Sequence, residues 1–315
     1  MSRGLLVEEQ RTNTFRYSED FSNAIWLKRN ISIISNNAVA PDGTTTADKA
    51  VPTGSSSDFY FNLAFNPGST ATLSIFAKAA GYNTVRLQYD LGQSAIFDLS
   101  TATVTGINGS STGKIENVGN GWYRLILTSS SVSSNNYPIF AIDGVPGDGS
   151  SGVLFWGAQS EAGAFATSYI PSLSNSSTTR SADVCQITGG DFSGFWNGTE
   201  GSFAVNYDSA SPQGWTGAYP VVTFSDSSTN AKRIWYSGEG GLGGNRFYVN
   251  DPSGSTTLIA TPISGGSIPT KASAAYKQND LAFSYNGGTP YTGASQLIPS
   301  GIDILRIGQN PASGN

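Results

Sequence analysis

The sequence predicts an all-β protein made of two tandem β-sandwiches with little helix, and three observations lead to this fold class. Short segments in which apolar and polar residues alternate recur through most of the 315 residues, and this period of two is typical of half-buried strands. Turn-forming Gly, Asn, Asp and Pro separate these segments at strand-length intervals. No long segment has the 3.6-residue period of an amphipathic helix. The length is sufficient for two domains of ordinary size.

The composition favours a packed core with an almost uncharged surface. Hydrophobic residues make up 38% of the chain and aromatic residues 11%, whereas charged residues make up only 12%, about half of the usual share. The net charge of −5 argues against a nucleic-acid partner, because such binding depends on Lys and Arg that neutralise phosphates. No apolar run approaches the length of about 18 residues that a membrane-spanning helix needs, so membrane insertion is not expected.

The cysteine and histidine content excludes several kinds of chemistry. Cys185 is the single cysteine, so no intrachain disulfide can form, and we expect a small buried hydrophobic side chain at this position. The chain contains no histidine, which removes Ser-His-Asp and Cys-His catalysis and zinc sites built on histidine.

The first half of the chain has the pattern of a jelly roll. Residues 1–30 are predicted to form an N-terminal segment that packs on the first sandwich, and residues 31–171 the sandwich itself. Trp122 and Trp156 lie inside strongly alternating segments, so we expect both in the core. The strands predicted here include ATLSIFAKA (71–79), TVRLQYD (84–90), AIFDLSTATV (95–104), GWYRLILTSS (121–130), YPIFAIDG (137–144) and GVLFWGA (152–158).

The closing strand of this half leads into a polar connection. Residues 172–182 begin with SLSNSSTTRS, which has almost nothing to bury and is predicted to be a flexible linker. Glu161 follows the closing strand, and we expect its carboxylate to accept backbone N–H bonds rather than to act as a catalytic acid.

Residues 183–315 are predicted to form the second sandwich. Asn286-Gly287 has the composition of a type I′ hairpin turn. The sequence stops just after its last predicted strand, so we expect an open sheet edge there, left by a missing strand or covered by a neighbouring subunit. The strands predicted here are GSFAVNYD (201–208), YPVVTFSD (219–226), RIWYSG (233–238), NRFYVND (245–251), KASAAYKQND (271–280), LAFSYNGG (281–288) and DILRIGQ (303–309).

Carbohydrate-binding residues are sought among aromatic side chains with polar neighbours. A pyranose needs an aromatic face for its C–H side, and amide, carboxylate or guanidinium groups for its hydroxyls. In the first sandwich, Tyr82, Arg86 and Gln88 are candidates on an outward face. The alternative interpretation is that Tyr82 and Tyr60 cover a sheet edge.

The second sandwich supplies a denser group of candidates. One set lies in PQGWTGAYP, where the Trp is either a lid over the core or a platform for a ligand. The other set surrounds a Gly-rich hairpin tip, which either lets the backbone approach a ligand or is simply loose. The candidates are Trp215, Tyr219, Trp235, Tyr236, Arg246 and Tyr248.

Cofactor and catalytic sites are less well supported. Asp143 and Asp148 are candidate calcium ligands, because they offer oxygen atoms in a Gly-rich loop, although Asp-Gly is also a common turn. No other cofactor is expected. Glycoside hydrolysis needs two carboxyl groups that face a cleft at roughly 5–10 Å. The acidic residues are scattered, so an enzyme is not expected.

The chain resembles proteins of tailed bacteriophages and prophages. Residues 4–183 resemble a module of tail fibres, tailspikes and other virion surface proteins that is similar to the jelly rolls of carbohydrate-binding modules. Residues 184–315 resemble the concanavalin A-like lectin/glucanase sandwich, but the Arg- and Tyr-rich strand that usually follows is missing. The motifs that carry the two resemblances are GLLVEEQRTNTFRYSEDFSNAIW, APDGTTTADK, GNGWYRLILT and FWGAQSEAGAFATSYIPS in the first half, and GSFAV, KASAAYKQNDLAFSYNGG and DILRIGQ in the second.

This resemblance implies a structural and adhesion protein at the virion surface, such as a component of a tail fibre, tailspike or head fibre. The expected partners are host cell-surface polysaccharide and other virion proteins, and the expected assembly is a homotrimer formed in the cytoplasm of the bacterial host. Two alternatives remain open. One is a purely architectural decoration or connector of the virion, and the other is a polysaccharide depolymerase.

Overall fold

The computed structural model of the chain divides it into two compact units. The first is Arg11–Ser181, and the second combines Ala182–Asn315 with Met1–Gln10. We call them the first and the second sandwich. The structure describes residues 4–54, 56–61, 70–89, 92–133, 137–208, 218–227, 231–239, 245–260, 270–293 and 297–308. Of residues 56, 61, 218, 219, 239 and 256–260 it describes the backbone only.

The first sandwich consists of two six-stranded antiparallel sheets and a two-stranded ribbon. Its strands are β1 (Arg11–Asn13), β2 (Trp26–Arg29), β3 (Ile31–Ala38), β4 (Ala47–Pro52), β5 (Ser56–Phe61), β6 (Ala71–Ala80), β7 (Thr84–Gln88), β8 (Ser94–Asp98), β9 (Thr103–Asn108), β10 (Ser111–Gly119), β11 (Trp122–Ser129), β12 (Ile139–Asp143), β13 (Gly152–Ala162) and β14 (Thr178–Arg180). Sheet I has the order β10-β11-β6-β13-β4-β3, sheet II has the order β2-β5-β12-β7-β8-β9, and β1 pairs with β14. The connections cross repeatedly between the sheets, as in a jelly roll.

The core of the first sandwich lies between the inner faces of these sheets. Ile75 of β6 and Phe155 of β13 come from sheet I, and Phe59 of β5 and Phe140 of β12 come from sheet II; all four are fully buried. The Phe59 and Phe155 rings meet edge to face with their centroids 5.3 Å apart. This aromatic contact joins the two sheets directly.

Trp122 and Trp156 are buried, as predicted, at 2% and 5% exposure. They lie in a separate cluster on the other face of sheet I. Alternation along β11 and β13 directs the residues adjacent to them in sequence toward the main core, and the tryptophans therefore point away from it. The indole N–H of Trp122 donates to the Val39 carbonyl oxygen (3.2 Å) and that of Trp156 to Thr46 Oγ1 (3.0 Å). The segment before β4 therefore covers a second apolar layer.

The second sandwich combines a six-stranded and a four-stranded sheet. Its elements are β15 (Cys185–Thr188), α1 (Gly189–Ser193), β16 (Glu200–Tyr207), β17 (Ala218–Ser225), β18 (Arg233–Glu239), β19 (Asn245–Asp251), β20 (Gly254–Ala260), β21 (Thr270–Lys277), β22 (Asp280–Tyr285), β23 (Tyr291–Gly293) and β24 (Ile304–Ile307). Sheet III has the order β15-β24-β17-β18-β19-β20 and sheet IV the order β16-β21-β22-β23. The last predicted strand corresponds to β24, which is paired with β15 on one side and with β17 on the other, so the prediction of an open sheet edge at this strand was wrong. The Trp196 ring stacks between the two sheets. Its centroid lies 5.0 Å from that of the Phe224 ring in sheet III and 5.4 Å from that of the Tyr276 ring in sheet IV.

The predicted fold class is confirmed, since both units are β-sandwiches and the described residues contain a single short helix. The hairpin predicted at Asn286-Gly287 joins β22 to β23, and both residues have the positive φ that a type I′ turn requires. Cys185, which was expected to be buried, is half-buried on the edge strand β15. Within the described part of the chain, no helix is both long and apolar enough to cross a lipid bilayer.

Two segments differ from their predicted roles. The segment 1–30 was expected to pack as a whole on the first sandwich, but residues up to Gln10 group with the second unit. There Glu8 N–H donates to the Asp183 carboxylate (2.9 Å), and Asp183 N–H donates to the Glu8 carbonyl (2.9 Å).

The predicted linker 172–182 is held by the first sandwich almost to its end. Ser172 is buried, and its N–H donates to Ser18 Oγ (2.9 Å). Further along, β14 pairs with β1, and the Thr12 and Thr179 hydroxyls are hydrogen-bonded at 2.8 Å. Polar residues pair here with other polar residues instead of with water, which composition alone does not reveal.

Gly157 provides a test of the packing between sheet I and the second apolar layer. It has φ +62 at the irregularity of β13, and an added Cβ would lie 3.1 Å from the Phe76 ring and 3.3 Å from the Tyr169 ring. Gly144 has φ +75, and an added Cβ there would have no atom within 4 Å. Gly157→Ala should combine a left-handed backbone cost of about 1–2 kcal/mol with an overpacking cost of about 1 kcal/mol or more.

Urea unfolding of Gly157→Ala and Gly144→Ala measures the difference. Gly144→Ala should show only the backbone cost. Equal losses of unfolding free energy in the two variants would contradict the packing described for Gly157.

Candidate functional site

The outer face of sheet II carries a shallow groove. Alternation along β5 and β12 buries Phe59 and Phe140 and directs Asp58, Tyr60 and Ile139 to the opposite face. Strand register places Tyr60 directly opposite Ile139. The groove has a volume of about 440 Å³ and is open to solvent. It is lined by Arg29, Asp58, Tyr60, Tyr137 and Ile139.

Two tyrosines form the aromatic part of this groove. The rings of Tyr60 and Tyr137 are perpendicular, with centroids 6.5 Å apart. Tyr137 is 45% exposed, and Tyr60 is half-buried. A perpendicular pair presents the face of one ring beside the edge of the other, and aromatic rings of this kind are the surfaces on which the C–H side of a sugar packs.

An ion pair forms the polar part of the groove. Arg29 donates to Asp58 Oδ2, and the Asp58 side chain is 1% exposed whereas that of Arg29 is 58% exposed. The second oxygen, Asp58 Oδ1, has no hydrogen-bond partner among the described residues. The groove therefore offers the exposed Arg29 guanidinium to hydroxyl oxygens, and the buried Asp58 carboxylate holds this guanidinium in place.

Arg86 and Gln88, chosen from the sequence, lie on the same face of sheet II. Ala141 of β12 is paired with Asp58 of β5 on one side and with Arg86 of β7 on the other, and Ile139 is paired with Gln88. Arg86 donates to Asp143 and to the Gln88 side-chain oxygen. A polar strip thus extends from the groove across β7.

Tyr82 does not belong to this strip. It is half-buried and packs against the main core. The alternative interpretation was that Tyr82 and Tyr60 both have a structural role at a sheet edge. The packing of Tyr82 on the core is structural, whereas Tyr60 lines the groove.

Sequence reasoning missed the other groove residues, Arg29, Asp58 and Tyr137. The signal for Asp58 and Tyr60 was present in SSDFYF, because an inward Phe59 directs both of its neighbours outward. Nothing in the sequence showed that Arg29 faces Asp58 across β2 and β5, because register depends on contacts between distant segments.

The candidates in the second sandwich are divided between its core and its surface. Tyr236 is fully buried in the core; its hydroxyl donates to Asn245 Oδ1 and is hydrogen-bonded to the Tyr207 hydroxyl, and burial raises the pKa of Tyr236 above its ordinary value. Trp215 lies outside the described residues, and so does the side chain of Tyr219, whose backbone is part of β17.

Trp235, Arg246 and Tyr248 do lie together on the outer face of sheet III. The Trp235 and Tyr248 rings stack at 4.1 Å with an interplanar angle of 10°, and the Arg233 guanidinium lies 4.9 Å from the Trp235 ring centroid. Trp235 is only 7% exposed. Its ring is thus occupied by protein neighbours, and little of its surface remains for stacking on a sugar.

The two predicted calcium ligands are engaged by other protein groups. Asp143 forms an ion pair with Arg86. Asp148 Oδ1 accepts the N–H groups of Ser150 (2.9 Å) and Ser151 (2.6 Å), and hydrogen bonds from these two serines hold the pKa of Asp148 well below its usual range. Within the described ranges, no three His, Cys, Asp or Glu side chains come together as they would to hold a metal ion.

Glu161 behaves as the sequence predicted. It is fully buried, and its Oε1 accepts the Thr167 N–H (2.9 Å) and the Gln159 amide (2.8 Å). Its Oε2 accepts the Thr167 hydroxyl (2.8 Å). The carboxylate fastens the loop after β13 onto the sandwich.

Comparison with known proteins does not assign the chain to a family. No family model matches the sequence, and no curated protein matches it. Among solved structures, the LG4-5 domains of the mouse laminin alpha1 chain are similar at 9% sequence identity and a TM-score of 0.27, over 82% of this chain and 80% of that chain. A similarity this low carries no conclusion about function.

Replacement of Glu161 tests its structural role. Glu161→Gln replaces one of the two acceptor oxygens by an NH₂ group and removes the charge that strengthens all three hydrogen bonds, so the free energy of unfolding should fall by about 1–3 kcal/mol. Glu116→Gln is the control, because the half-buried Glu116 forms an ion pair with the exposed Lys114, and an ion pair at the surface contributes about 0–1 kcal/mol. Thermal and urea unfolding compare the variants, and a Glu161→Gln protein as stable as the wild type would refute this role.

Proposed function

We propose that this chain is a non-enzymatic adhesion protein at the surface of a bacteriophage virion, where it binds host cell-surface glycans. The observation that carries the proposal is the groove on sheet II, which combines the Tyr60 and Tyr137 rings with the Arg29–Asp58 pair. The resemblance of the sequence motifs to tail-fibre and tailspike modules supports the virion as its location.

The chemistry of the groove supports a neutral or mixed saccharide as its ligand. Ring surfaces pack on the C–H groups of a pyranose, and the exposed Arg29 guanidinium can donate hydrogen bonds to its hydroxyl oxygens. The polar strip of Arg86 and Gln88 continues in the same direction and would extend the contact beyond one sugar unit.

Several features favour binding over hydrolysis. Asp58 and Asp143 each form an ion pair with an arginine and the Asp58 side chain is 1% exposed, so the two do not form a pair of carboxyl groups that face a cleft. The buried carboxylate of Glu161 is committed to hydrogen bonds within the fold. A depolymerase is therefore the weaker alternative.

A homotrimer agrees with this function. A shallow site binds one saccharide weakly, and three copies on one particle multiply the effective affinity for a repeating polymer. We propose that the trimer also contacts other virion proteins.

An architectural role is the second candidate, and an observation in the second sandwich favours it. Leu5, Leu6 and Val184 are 67%, 66% and 69% exposed, although large apolar side chains are usually buried. In a connector protein such residues would contact another virion component.

A glycan array followed by titration calorimetry on the full chain tests the proposal. Tyr137→Ala should weaken binding of the recognised glycan about tenfold, because a buried aromatic contact is typically worth more than about 1 kcal/mol. The control is Tyr291→Ala, which removes a tyrosine of similar exposure (37%) from the second sandwich.

Three results would count against the proposal in different ways. Absence of binding to any host polysaccharide would defeat the adhesive function. Release of reducing ends from capsule or lipopolysaccharide would show an enzyme. Equal losses in Tyr137→Ala and Tyr291→Ala would place the binding site elsewhere.

A further inference from the structure

The edge strand β3 of sheet I carries no charged residue. It reads ISIISNNA and lies at one end of the strand order β10-β11-β6-β13-β4-β3. Natural sheets protect exposed edges with charges, proline or bulges, because the unpaired backbone groups of an edge can bind a strand of another chain. The three isoleucines of β3 also favour the extended conformation that pairing requires. This strand is therefore suited to pairing on its open side.

The opposite edge of sheet I is protected. Strand β10 carries the Lys114–Glu116 ion pair and has an irregular register near its end. It also packs closely on β9 of sheet II, because a Cβ added to Gly113 would lie 2.9 Å from the Val104 side chain. The edge strand β2 of sheet II, with the sequence WLKR, carries a lysine and an arginine. Of these three edges, β3 is the one without a charge.

Strand register shows which backbone groups of β3 point away from the sheet. The first half of β3 pairs in unbroken register with β4, and in this register the Thr53 N–H donates to the Asn30 carbonyl (2.8 Å). Hydrogen-bonded and non-hydrogen-bonded residues alternate in an antiparallel ladder, so Ser32 also bonds to β4, whereas the N–H and C=O groups of Ile31 and Ile33 point outward. Within the described part of the chain, these outward groups have no hydrogen-bond partner.

The side chains of β3 leave this edge accessible. Ile31 is buried and Ile33 is half-buried, and both pack on the core side of sheet I. On the outer face, Ser32 is exposed and Ile34 is 47% exposed, and Val39, just after the strand, is 57% exposed. Large apolar side chains are usually buried. Exposed apolar surface and outward backbone groups thus occur at the same edge.

We propose that β3 binds a second copy of this chain through antiparallel pairing of the two β3 strands about a twofold axis at Ser32. In this register, Ile31 of each copy is paired with Ile33 of the other, so the outward groups of both residues are hydrogen-bonded. The pairing is confined to the first half of the strand, because the register with β4 is irregular between Ile34 and Ala38. It occupies the edge in both copies and therefore closes at two chains.

Charge and strand pattern favour a second copy as the occupant of this edge. Two chains with a net charge of −5 repel each other, and pairing through a strand without charged residues brings no like charges directly together. The strand is also complementary to itself, since the pairing places isoleucine beside isoleucine on the core side and Ser32 beside Ser32 on the outer face. The contact is short compared with standard interfaces of roughly 1,200 Å² or more, so we expect reversible pairing.

The inference goes beyond glycan binding and does not depend on it. A twofold contact cannot close a trimer. In the proposed homotrimer it would join two trimers, and in a chain that forms no trimer it would produce a dimer. In both cases the assembly contains an even number of chains.

Replacement of Ser32 tests the pairing, because the axis places this residue beside its own copy. Paired residues at a non-hydrogen-bonded position have Cα atoms about 4.5 Å apart, so two lysines or two glutamates there repel each other. The molar mass of the full chain should therefore halve in Ser32→Lys and in Ser32→Glu. Sedimentation velocity over about 1–200 μM, a range that spans weak and moderate affinities, measures it. An equimolar mixture of the two variants should regain the wild-type mass, because opposite charges then face each other.

The matched control is Thr112→Lys. Thr112 is an exposed hydroxyl residue on β10, at the other edge of the same sheet, so this variant should keep the wild-type mass. Thermal unfolding verifies that each variant is folded. Recovery of mass on mixing separates lost pairing from lost folding, since two misfolded variants would not complement each other.

A disulfide provides a second measurement of the proposed register. Ser32→Cys should form a covalent dimer on mild oxidation, because a Cα separation of about 4.5 Å lies within the range that a disulfide spans. The variant is made together with Cys185→Ser, which removes the native cysteine. The chain with Cys185→Ser alone should form no covalent dimer.

Several outcomes would overturn the inference. They are a wild-type mass equal to that of Ser32→Lys at every concentration, no gain of mass when the two Ser32 variants are mixed, and an equal loss in Thr112→Lys. Growth of the wild type without limit would show open aggregation instead of a closed pair. A wild type of three chains would refute the twofold contact and leave the homotrimer intact, and the glycan array tests the groove independently.

Discussion

Face-to-face packing of two antiparallel sheets is the constraint on which the rest of the structure depends. In the first sandwich, Phe59 and Phe155 join the sheets through an edge-to-face contact at 5.3 Å. Successive residues of a strand point to opposite faces, so burial of Phe59 commits Asp58 and Tyr60 to the surface. The groove on sheet II is in this sense a consequence of the core, and its residues are held by the same strands that the core immobilises.

Charged residues make up only 12% of the chain, so the few charged side chains on each sheet face determine the local charge of that face. On sheet II, Arg29 and Arg86 are each paired with an aspartate, so the proposed site would depend on rings and hydrogen bonds more than on net charge. On sheet III, Arg233 and Arg246 lie beside the stacked Trp235 and Tyr248 rings.

The sequence was sufficient for the strands, the fold class and the burial of Trp122 and Trp156, because all of these follow from local alternation. It was not sufficient for register, which brings Arg29 to Asp58 and Arg306 to Ser225. Nor could the sequence show which aromatic residues of a strand face the core. Trp235 and Tyr236 are adjacent in β18, yet Trp235 lies on the outer face and Tyr236 lies in the core. The pairing of β14 with β1 was missed for the same reason, since it joins residues at the two ends of the first sandwich.

The fate of Trp235 shows why an aromatic-rich cluster in a sequence is an ambiguous sign of a sugar site. Its ring is engaged by Tyr248 and Arg233, and the energy of that packing would be lost if a sugar displaced either neighbour. Tyr137 on sheet II is 45% exposed whereas Trp235 is 7% exposed, so in the proposed groove the Tyr137 ring keeps the open surface on which the C–H side of a sugar can pack.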